Sequence, residues 1–563
     1  MQEPKEPPSK LSLKRQLIII CFSLLFALSS LLFRPEGVSK YHVGDVAQRN
    51  IKATRDIYGE GKEPLMRKGE IIVRAGERIK EEQLRKLLAM EGPMEASRPV
   101  KKALTFFLLF SIIGSILFEF SQRNIKKFRL STRDLLFGTI LSLLTFLLLG
   151  LSSLLFESVT GEAVSEYEYL VPVLCFGMLT RIVLYSEASI ILTLLFSLFS
   201  ALLLERLDLF VYLFCGNLFA SYFSGRCEKR SSLLRAGLLS SLFTSLVIVL
   251  LSLLSQDPYG LMVKKSGLVF VNGLLSSSIV LALLPVIEQA FDYVTDIRLI
   301  ELSDFEHPLL EELMLKAPGT YHHSILVGTL AKAAAESIGA HPLLARAASY
   351  FHDIGKLKMP QYFVENRKEN SDPHRDLSPH MSALILLSHV KEGVELARSH
   401  RLGKRIVDII AEHHGTCLLA YFYEKAKEKE DPELALVEEK DFRYPGPKPQ
   451  TKEAGIVMLA DQVEASSRVL EDPTPKRIES HVRQVIQNVF LDGQLDECEL
   501  TLKDLHAIER SFVNILLGIF HQRIEYPKRV IHGGADKRRA KGEETRKGQD
   551  KKDLKRLDGL VGS

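Results

Sequence analysis

Residues 350–356 read YFHDIGK and set His352 beside Asp353, two residue types that bind metal ions and carry protons. A single His-Asp pair is nearly uninformative, because chance supplies one in many long chains. The same chain also offers His322-His323, His389, His413-His414 and Asp461, each within or beside an apolar stretch. An unpartnered polar side chain is costly in such a place. For any one of these residues a satisfied core histidine is the ordinary explanation. Five segments each offering such a group point to metal binding instead. Of the 16 histidines only His42 precedes residue 300, so the chemistry belongs to the C-terminal half. Neighbours on a helix point about 100° apart. The two members of HH or HD therefore serve one ion poorly, and suit two ions with a carboxylate such as Asp353 between them. A donor set of histidines and carboxylates suits iron, manganese or zinc. The cysteines (Cys21, Cys175, Cys215, Cys227, Cys417 and Cys498) form no CxxC, and support neither a zinc ribbon nor a disulfide framework.

The elements that must position these groups are helical. Apolar residues recur at three- and four-residue spacing through 322–338, 342–351, 380–398, 404–415, 453–468, 475–490 and 502–520. Pro318-Gly319 and the run Tyr444-Pro445-Gly446-Pro447 interrupt them. The fold class expected for this half is all-α, and helix bundles build metal sites by projecting side chains inward from facing helices. His374 and His380 fall in a polar loop region and are expected to be solvated. Beyond Gly533 the sequence is charged and nearly free of large apolar residues, as in a disordered, solubilising tail.

The first half has a different solvent. A membrane-spanning helix takes about 20 mostly apolar residues, and runs of that kind lie at 16–33, 103–120, 134–156, 168–184, 188–204, 207–224, 233–254 and 266–287. The architecture expected is thus one span, then seven. Basic loops stay on the cytoplasmic side. The 121–133 loop holds Arg123, Lys126, Lys127, Arg129 and Arg133, and the 225–235 loop holds Arg226, Lys229, Arg230 and Arg235. The 157–168 stretch is acidic, and Lys264 and Lys265 dissent from the pattern. This orientation places both the N-terminus and the histidine-rich half in the cytoplasm. Arg181 is read as lying at a span end and reaching the interface. Between the first two spans, Ile71, Val73 and the Gly69/Gly76 pair predict a short β-hairpin followed by a small helix. The net charge of +4 on 563 residues says little about partners.

The histidines, the HD pair and the distant Asp461 resemble the HD-domain superfamily of metal-dependent phosphohydrolases. The longer stretches APGTYHHSILVGTLAKAAAESIGA, YFHDIGKLKMPQYFVEN, LSPHMSALILLSHVKEGVELA, DIIAEHHGTCLLAYFY and YPGPKPQTKEAGIVMLADQVEA are similar to the seven-transmembrane HD receptors of the PgpH type, which are cyclic-di-AMP phosphodiesterases. The resemblance covers about residues 16–520. It implies one metal on His323, His352, Asp353 and Asp461, and a second on the shared Asp353 with His389, His413 and His414. It leaves out His322 and makes Lys356 the substrate-phosphate contact, with Asp353 and Lys356 the catalytic pair. The cofactors implied are two divalent ions, manganese or iron.

The reaction expected is attack of a bridging hydroxide in the two-metal site on one phosphorus of cyclic-di-AMP, giving linear pApA. The domains expected are a cytosolic N-terminus at 1–15, the first transmembrane helix at 16–33, and a short extracellular segment at 34–102. A seven-helix membrane domain follows at 103–287, then a linker helix at 288–302, the cytosolic HD domain at 303–525 and a basic tail at 526–563. Family members usually carry a far longer external domain, so the external part is read as shortened. The setting this resemblance implies is a bacterial inner membrane, and the partners it implies are a cyclic dinucleotide and the lipid bilayer, with no nucleic-acid polymer; a homodimer stays open. The rival readings are an HD phosphohydrolase for cyclic-di-GMP or a nucleoside triphosphate, and a non-catalytic nucleotide-binding receptor. Against the cyclic-di-GMP type, His414 is followed by Gly415 and no Gly-Tyr-Pro occurs.

Overall fold

The structure, a computed structural model, describes residues 8–521 apart from 30–42, 48–50, 54–56, 59–63, 67–68, 75, 92–97, 126–127, 129, 161–164, 205, 226, 228, 368–371, 429–436 and 472. The basic tail expected at 526–563, and Lys126, Lys127, Arg129 and Arg226 of the basic loops, lie outside the described residues. Helix α1 (Pro8–Ser29) carries the first apolar run. Four short strands follow, β1 (Ile51–Lys52), β2 (Ile57–Tyr58), β3 (Pro64–Met66) and β4 (Ile71–Val73), then α2 (Glu81–Glu91). Ile71–Val73 is a strand, as its alternation predicts, but it pairs antiparallel with β1, while β2 pairs with β3. Gly69 and Gly76 bracket β4 with φ of +90° and +82°, backbone that a side chain would strain. The core beneath is small, with Ala47, Ala53, Ile72, Val73, Ile79 and Leu87 buried.

The membrane half is α3 (Arg98–Asn124), α4 (Thr132–Thr160), α5 (Leu174–Val183), α6 (Ser186–Leu204), α7 (Leu207–Ser224), α8 (Arg230–Leu254) and α9 (Tyr259–Phe291). Among the described residues six of these, all but α5, are long and apolar enough to cross a membrane. The span expected at 168–184 is instead a 3-10 turn, Ser165–Leu170, and the ten-residue α5. Ten residues rise only about 15 Å, too little to cross alone. A short helix inside a bilayer needs partners for its end groups. Asn217 Oδ1 accepts from Gly177 N at 2.8 Å, and Asn272 Nδ2 donates to the carbonyls of Tyr169 and Val171. The backbone of α7 comes so near that a Cβ on Gly177 would sit 2.3 Å from Asn217 O. Arg181, at the end of α5, donates to Gly225 O, the C-cap of α7.

Polar contacts close both ends of this bundle. At one end Lys264 pairs with Glu166 and Lys265 with Asp257, so the dissenting lysines sit in the acidic loops' company. At the other end Arg133 donates to Asp292 O and Arg230 pairs with Glu301, where the chain enters its second half.

That half is α10 (Asp296–Leu302), α11 (Pro308–Lys316), α12 (Pro318–Ile338), α13 (Pro342–Phe351), α14 (Pro379–Ser399), α15 (Lys404–Glu412), α16 (Ala420–Lys427), α17 (Lys452–Ser467), α18 (Pro475–Leu491) and α19 (Leu502–His521). Among its described residues the only β pairing is one isolated bridge, Leu418 to Arg443. The fold is all-α. One apolar core, including Leu330, Ala334, Phe351, Ile410, Met458 and Phe512, locks α12, α13, α15, α17 and α19 together. Burial of such side chains contributes about 1.5–3 kcal/mol each before entropy is counted.

Candidate functional site

Local signals place each polar group at a defined point of this core. Pro318 opens α12 and His323 follows about one turn later. His341 Nδ1 accepts from Leu344 N and caps α13, whose far end delivers His352 as its C-cap, then Asp353. Ser378 Oγ caps α14, which carries His389. Helix α15 ends at His413 and His414, and Thr451 Oγ1 caps α17, which carries Asp461. The 3-10 turn Ile354–Lys358 follows Asp353 and packs against α14.

Folding brings all seven expected ligands together in two groups that share Asp353. His323, His352, Asp353 and Asp461 form one, and Asp353, His389, His413 and His414 the other; within each, the ligand atoms lie within 4.8 Å of one another. Asp353 is divided between them. Its Oδ2 lies 3.6 Å from His323 Nε2 and 3.2 Å from His352 Nε2, while its Oδ1 lies 3.4 Å from His389 Nε2 and 3.7 Å from His413 Nε2. Asp461 Oδ1 lies 2.9 Å from His323 Nε2, and its Oδ2 lies 3.6 Å from His414 Nδ1. His322 is exposed and outside both groups.

The outer nitrogens fix the inner ones. Nδ1–H of His352, His389 and His413 donates to the carbonyl three residues earlier, Ser349 O at 2.7 Å, Leu386 O at 2.5 Å and Ile410 O at 2.8 Å. In the neutral tautomer the lone pair then sits on Nε2 and faces the centre. His389 Nε2 and His413 Nε2 are 3.4 Å apart, two lone pairs with no proton between them. His352 Nε2 and both oxygens of Asp353 are buried without a hydrogen-bond partner. Buried polar atoms are rarely left so, and this donor set fits divalent cations.

Electrostatics divides the imidazoles: burial works against charge on His352, but Asp353 and Asp461 more than offset it and raise it to about 10. Burial holds the His389 imidazole down at about 3 and His414 well below its ordinary range, with neighbouring His413 adding to both. Burial pushes the Asp353 carboxyl up, but His352 and Lys356 more than offset it and hold it well below the usual carboxylate range. Lys356 Nζ is 2.7 Å from Asp353 Oδ2, though off hydrogen-bond geometry, and 2.9 Å from Glu365 Oε1. The same ammonium lies over the Phe363 ring at 4.9 Å.

Above the centre opens a cavity of about 540 Å³ lined by His323, Lys356, His389, His414 and Asp461, with Arg367, Lys425 and Arg468 among its cations and Tyr421, Phe422 and Tyr444 among its rings. His374 lines it too, which corrects the expectation of a solvated loop histidine. It is buried, its Nε2 meets Tyr362 O at 2.9 Å, and its ring packs against Phe422, because the loop folds back as a cavity wall. His380 is exposed, resting on Phe442.

Three contacts escaped sequence reasoning. Glu464, 3% exposed, holds His323 Nδ1 at 2.5 Å. Its signal was present, since it stands one turn after Asp461 on the same apolar helix. Tyr444 stacks on His414 with ring centres 4.3 Å apart. Glu365 accepts from both Lys356 and Thr320. Nothing local distinguishes these last two from other loop residues.

Residues 100–295 match the family described as 7TM receptor with intracellular HD hydrolase, and residues 320–466 match the HD domain. Over 473 residues, 82% of this chain, the sequence is 35% identical to the cyclic-di-AMP phosphodiesterase PgpH of Bacillus subtilis and covers 65% of that protein. Over 467 residues it is 34% identical to the protein of the same name from Listeria monocytogenes, covering 63% of it. The chain thus spans just under two thirds of the length of these relatives. The crystal structure of the L. monocytogenes PgpH HD domain in complex with cyclic-di-AMP is 45% identical, covering 38% of this chain and 99% of that one, with a TM-score of 0.37. The apolar helices make this a multi-pass membrane protein, and the chain belongs to the seven-transmembrane receptors with an intracellular HD hydrolase domain.

Proposed function

We propose that this chain is a membrane-anchored phosphodiesterase that opens cyclic-di-AMP to linear pApA and so lowers the level of a second messenger. The observation that carries the reading is the pair of donor groups sharing Asp353 on the floor of a cavity walled by cations and aromatic rings. The curated relatives from B. subtilis and L. monocytogenes are named cyclic-di-AMP phosphodiesterases, which supports the substrate. His323, His352, Asp353 and Asp461 would hold one divalent ion, and Asp353, His389, His413 and His414 the other, manganese or iron in each case. Bound there, such ions supply Lewis-acid activation of water and neutralise phosphoryl oxygens.

The remaining work falls to the protein's own groups. Main-chain carbonyls hold His352, His389 and His413 in one tautomer, so these ligands need no reorganisation during the reaction. Lys356 faces the cavity beside the shared carboxylate, where an ammonium stabilises charge growing on a phosphoryl oxygen. Tyr421 and Phe422 offer faces on which purine rings stack. The basic loops on the side of the second half support a cytoplasmic catalytic domain. Helix α10 packs on α13, and Asp296 meets His341 at 3.0 Å at the cap of the helix whose other end carries His352 and Asp353. Gating by the membrane half would travel through this contact.

The test is hydrolysis by the full chain in detergent, loaded with Mn²⁺ or Fe²⁺ and given cyclic-di-AMP, cyclic-di-GMP and dGTP separately. Preferential conversion of cyclic-di-AMP to pApA is expected. Clean cleavage of another substrate without it overturns the assignment, and binding with no cleavage of any would favour a receptor.

A further inference from the structure

We propose that Glu464 is a positioning residue that makes the His323 group the tighter of the two metal sites; the proposal rests on reading both groups as metal sites. Four histidines turn Nε2 towards the centre, and they are not equivalent. His352, His389 and His413 give Nδ1–H to neutral main-chain carbonyls of their own helices. His323 alone gives it to a carboxylate, Glu464 Oε2, at 2.5 Å. An anionic acceptor makes a stronger hydrogen bond than a neutral one, and a carboxylate behind a ligating imidazole raises the donor strength of its other nitrogen. The inner atoms share the same bias. The His323 group contains two carboxylates, Asp353 and Asp461, whereas the other group has three histidines and only the shared Asp353.

Glu464 is itself held. Arg468 Nε lies 2.9 and 3.0 Å from its two oxygens, and Arg468 Nη2 lies 2.8 Å from Oε1. This fork compensates the buried charge and fixes the rotamer that leaves Oε2 on His323. A Glu–Arg contact that served only the i,i+4 face of a helix would have no reason to bury its carboxylate with one oxygen on the ring of a ligand, whereas here Glu464 is buried and Arg468 reaches it from the exposed side.

The test is a metal titration of the full chain in detergent, stripped by a chelator and reloaded with Mn²⁺. Bound metal is read by elemental analysis, affinities by chelator competition, and turnover separately. The wild-type chain should hold two ions of unequal affinity. Glu464→Gln, which keeps the shape and removes the charge, should weaken the tighter site about 10–100-fold and leave the weaker one unchanged. It should also lower kcat with little change in KM. Both affinities within twofold of wild type would overturn the inference while leaving the parent reading intact. A wild-type chain that takes up no Mn²⁺ would overturn both. Should Glu464→Gln fail to fold, Arg468→Met decides the matter in the same titration. It leaves the acceptor but frees its carboxylate, so a several-fold loss at the tighter site supports the inference and no change overturns it.

Discussion

Gly355, the sixth residue of YFHDIGK, is where the metal centre and the helix packing meet. Its φ is not positive, so the demand there is for space. A Cβ on Gly355 would stand 1.8 Å from His389 O and 2.5 Å from Gly393 N, the two atoms of a helical hydrogen-bond step in α14. Ordinary carbon contacts need about 3.5 Å, so in Gly355→Ala the 3-10 turn and α14 must part by roughly 1.5 Å. Neither side can yield by rotating a side chain, because the obstacles are backbone. Overpacking of this kind costs about 1–3 kcal/mol. The larger consequence is geometric. Asp353 and Lys356 belong to the displaced segment while His389 belongs to α14, so the 3.4 Å approach of Asp353 Oδ1 to His389 Nε2 opens. A misplacement of about 1 Å is worth on the order of 100-fold in rate. The assay is turnover of cyclic-di-AMP by the Mn²⁺-loaded full chain, with thermal unfolding and metal content measured alongside. Gly393→Ala is the internal control. Its Cβ would meet Ile410 Cγ2 at 3.1 Å and Gly355 N at 3.4 Å, contacts that small adjustments relieve, and it should lose less than about tenfold. Wild-type turnover and metal content in Gly355→Ala would refute the claim that this contact sets the ligand geometry.

Asp353→Asn replaces the shared carboxylate by an amide and should reduce bound metal at both groups, with kcat falling by more than about 100-fold; elemental analysis showing two ions per chain would count against it. Lys356→Met leaves Asp353 and Glu365 without their common cation. In the metal-stripped protein it should cost about 3–5 kcal/mol, measured by denaturant unfolding, and the Lys356→Met/Glu365→Gln pair should recover part of that stability without recovering turnover. In the membrane half, Asn272→Leu removes the donor to Tyr169 O, Val171 O and Tyr212 Oη. It should cost about 0.6–1.7 kcal/mol in detergent unfolding. Chelator treatment of the loaded chain should lower its melting temperature, with about 4 kcal/mol lost on going from a thousandfold excess of Mn²⁺ over Kd to none; equal melting curves would exclude a folded-state metal.

The sequence determined a good deal by itself. Histidines gathered, His42 apart, in one half and standing on apolar helical stretches were enough to indicate a bundle with an internal donor cluster. The adjacency of His352 and Asp353 suggested a carboxylate between two ions, but the premise that helical geometry turns neighbours apart does not hold here: His352 caps α13, Asp353 lies beyond it, and both members of each pair, His352 with Asp353 and His413 with His414, fall in one donor group. Long apolar runs likewise marked most of the membrane helices, since the bilayer sets a length that composition must meet. Elsewhere local pattern misled. The apolar run at 168–184 reads as a span, yet its backbone breaks into a 3-10 turn and a short helix, because Asn217 and Asn272 from other helices satisfy the freed polar groups. His374 reads as a loop residue and is a buried cavity wall. Tertiary structure alone decided which oxygen of Asp353 faces which group, that three imidazoles lean on their own helices' carbonyls, and that a fourth leans on Glu464. The first and last of those facts depend on distances between segments far apart in the chain, while the contacts of the three imidazoles are local, each to the carbonyl three residues earlier. Residue type and spacing set what a side chain is able to bind, and only packing sets what it meets.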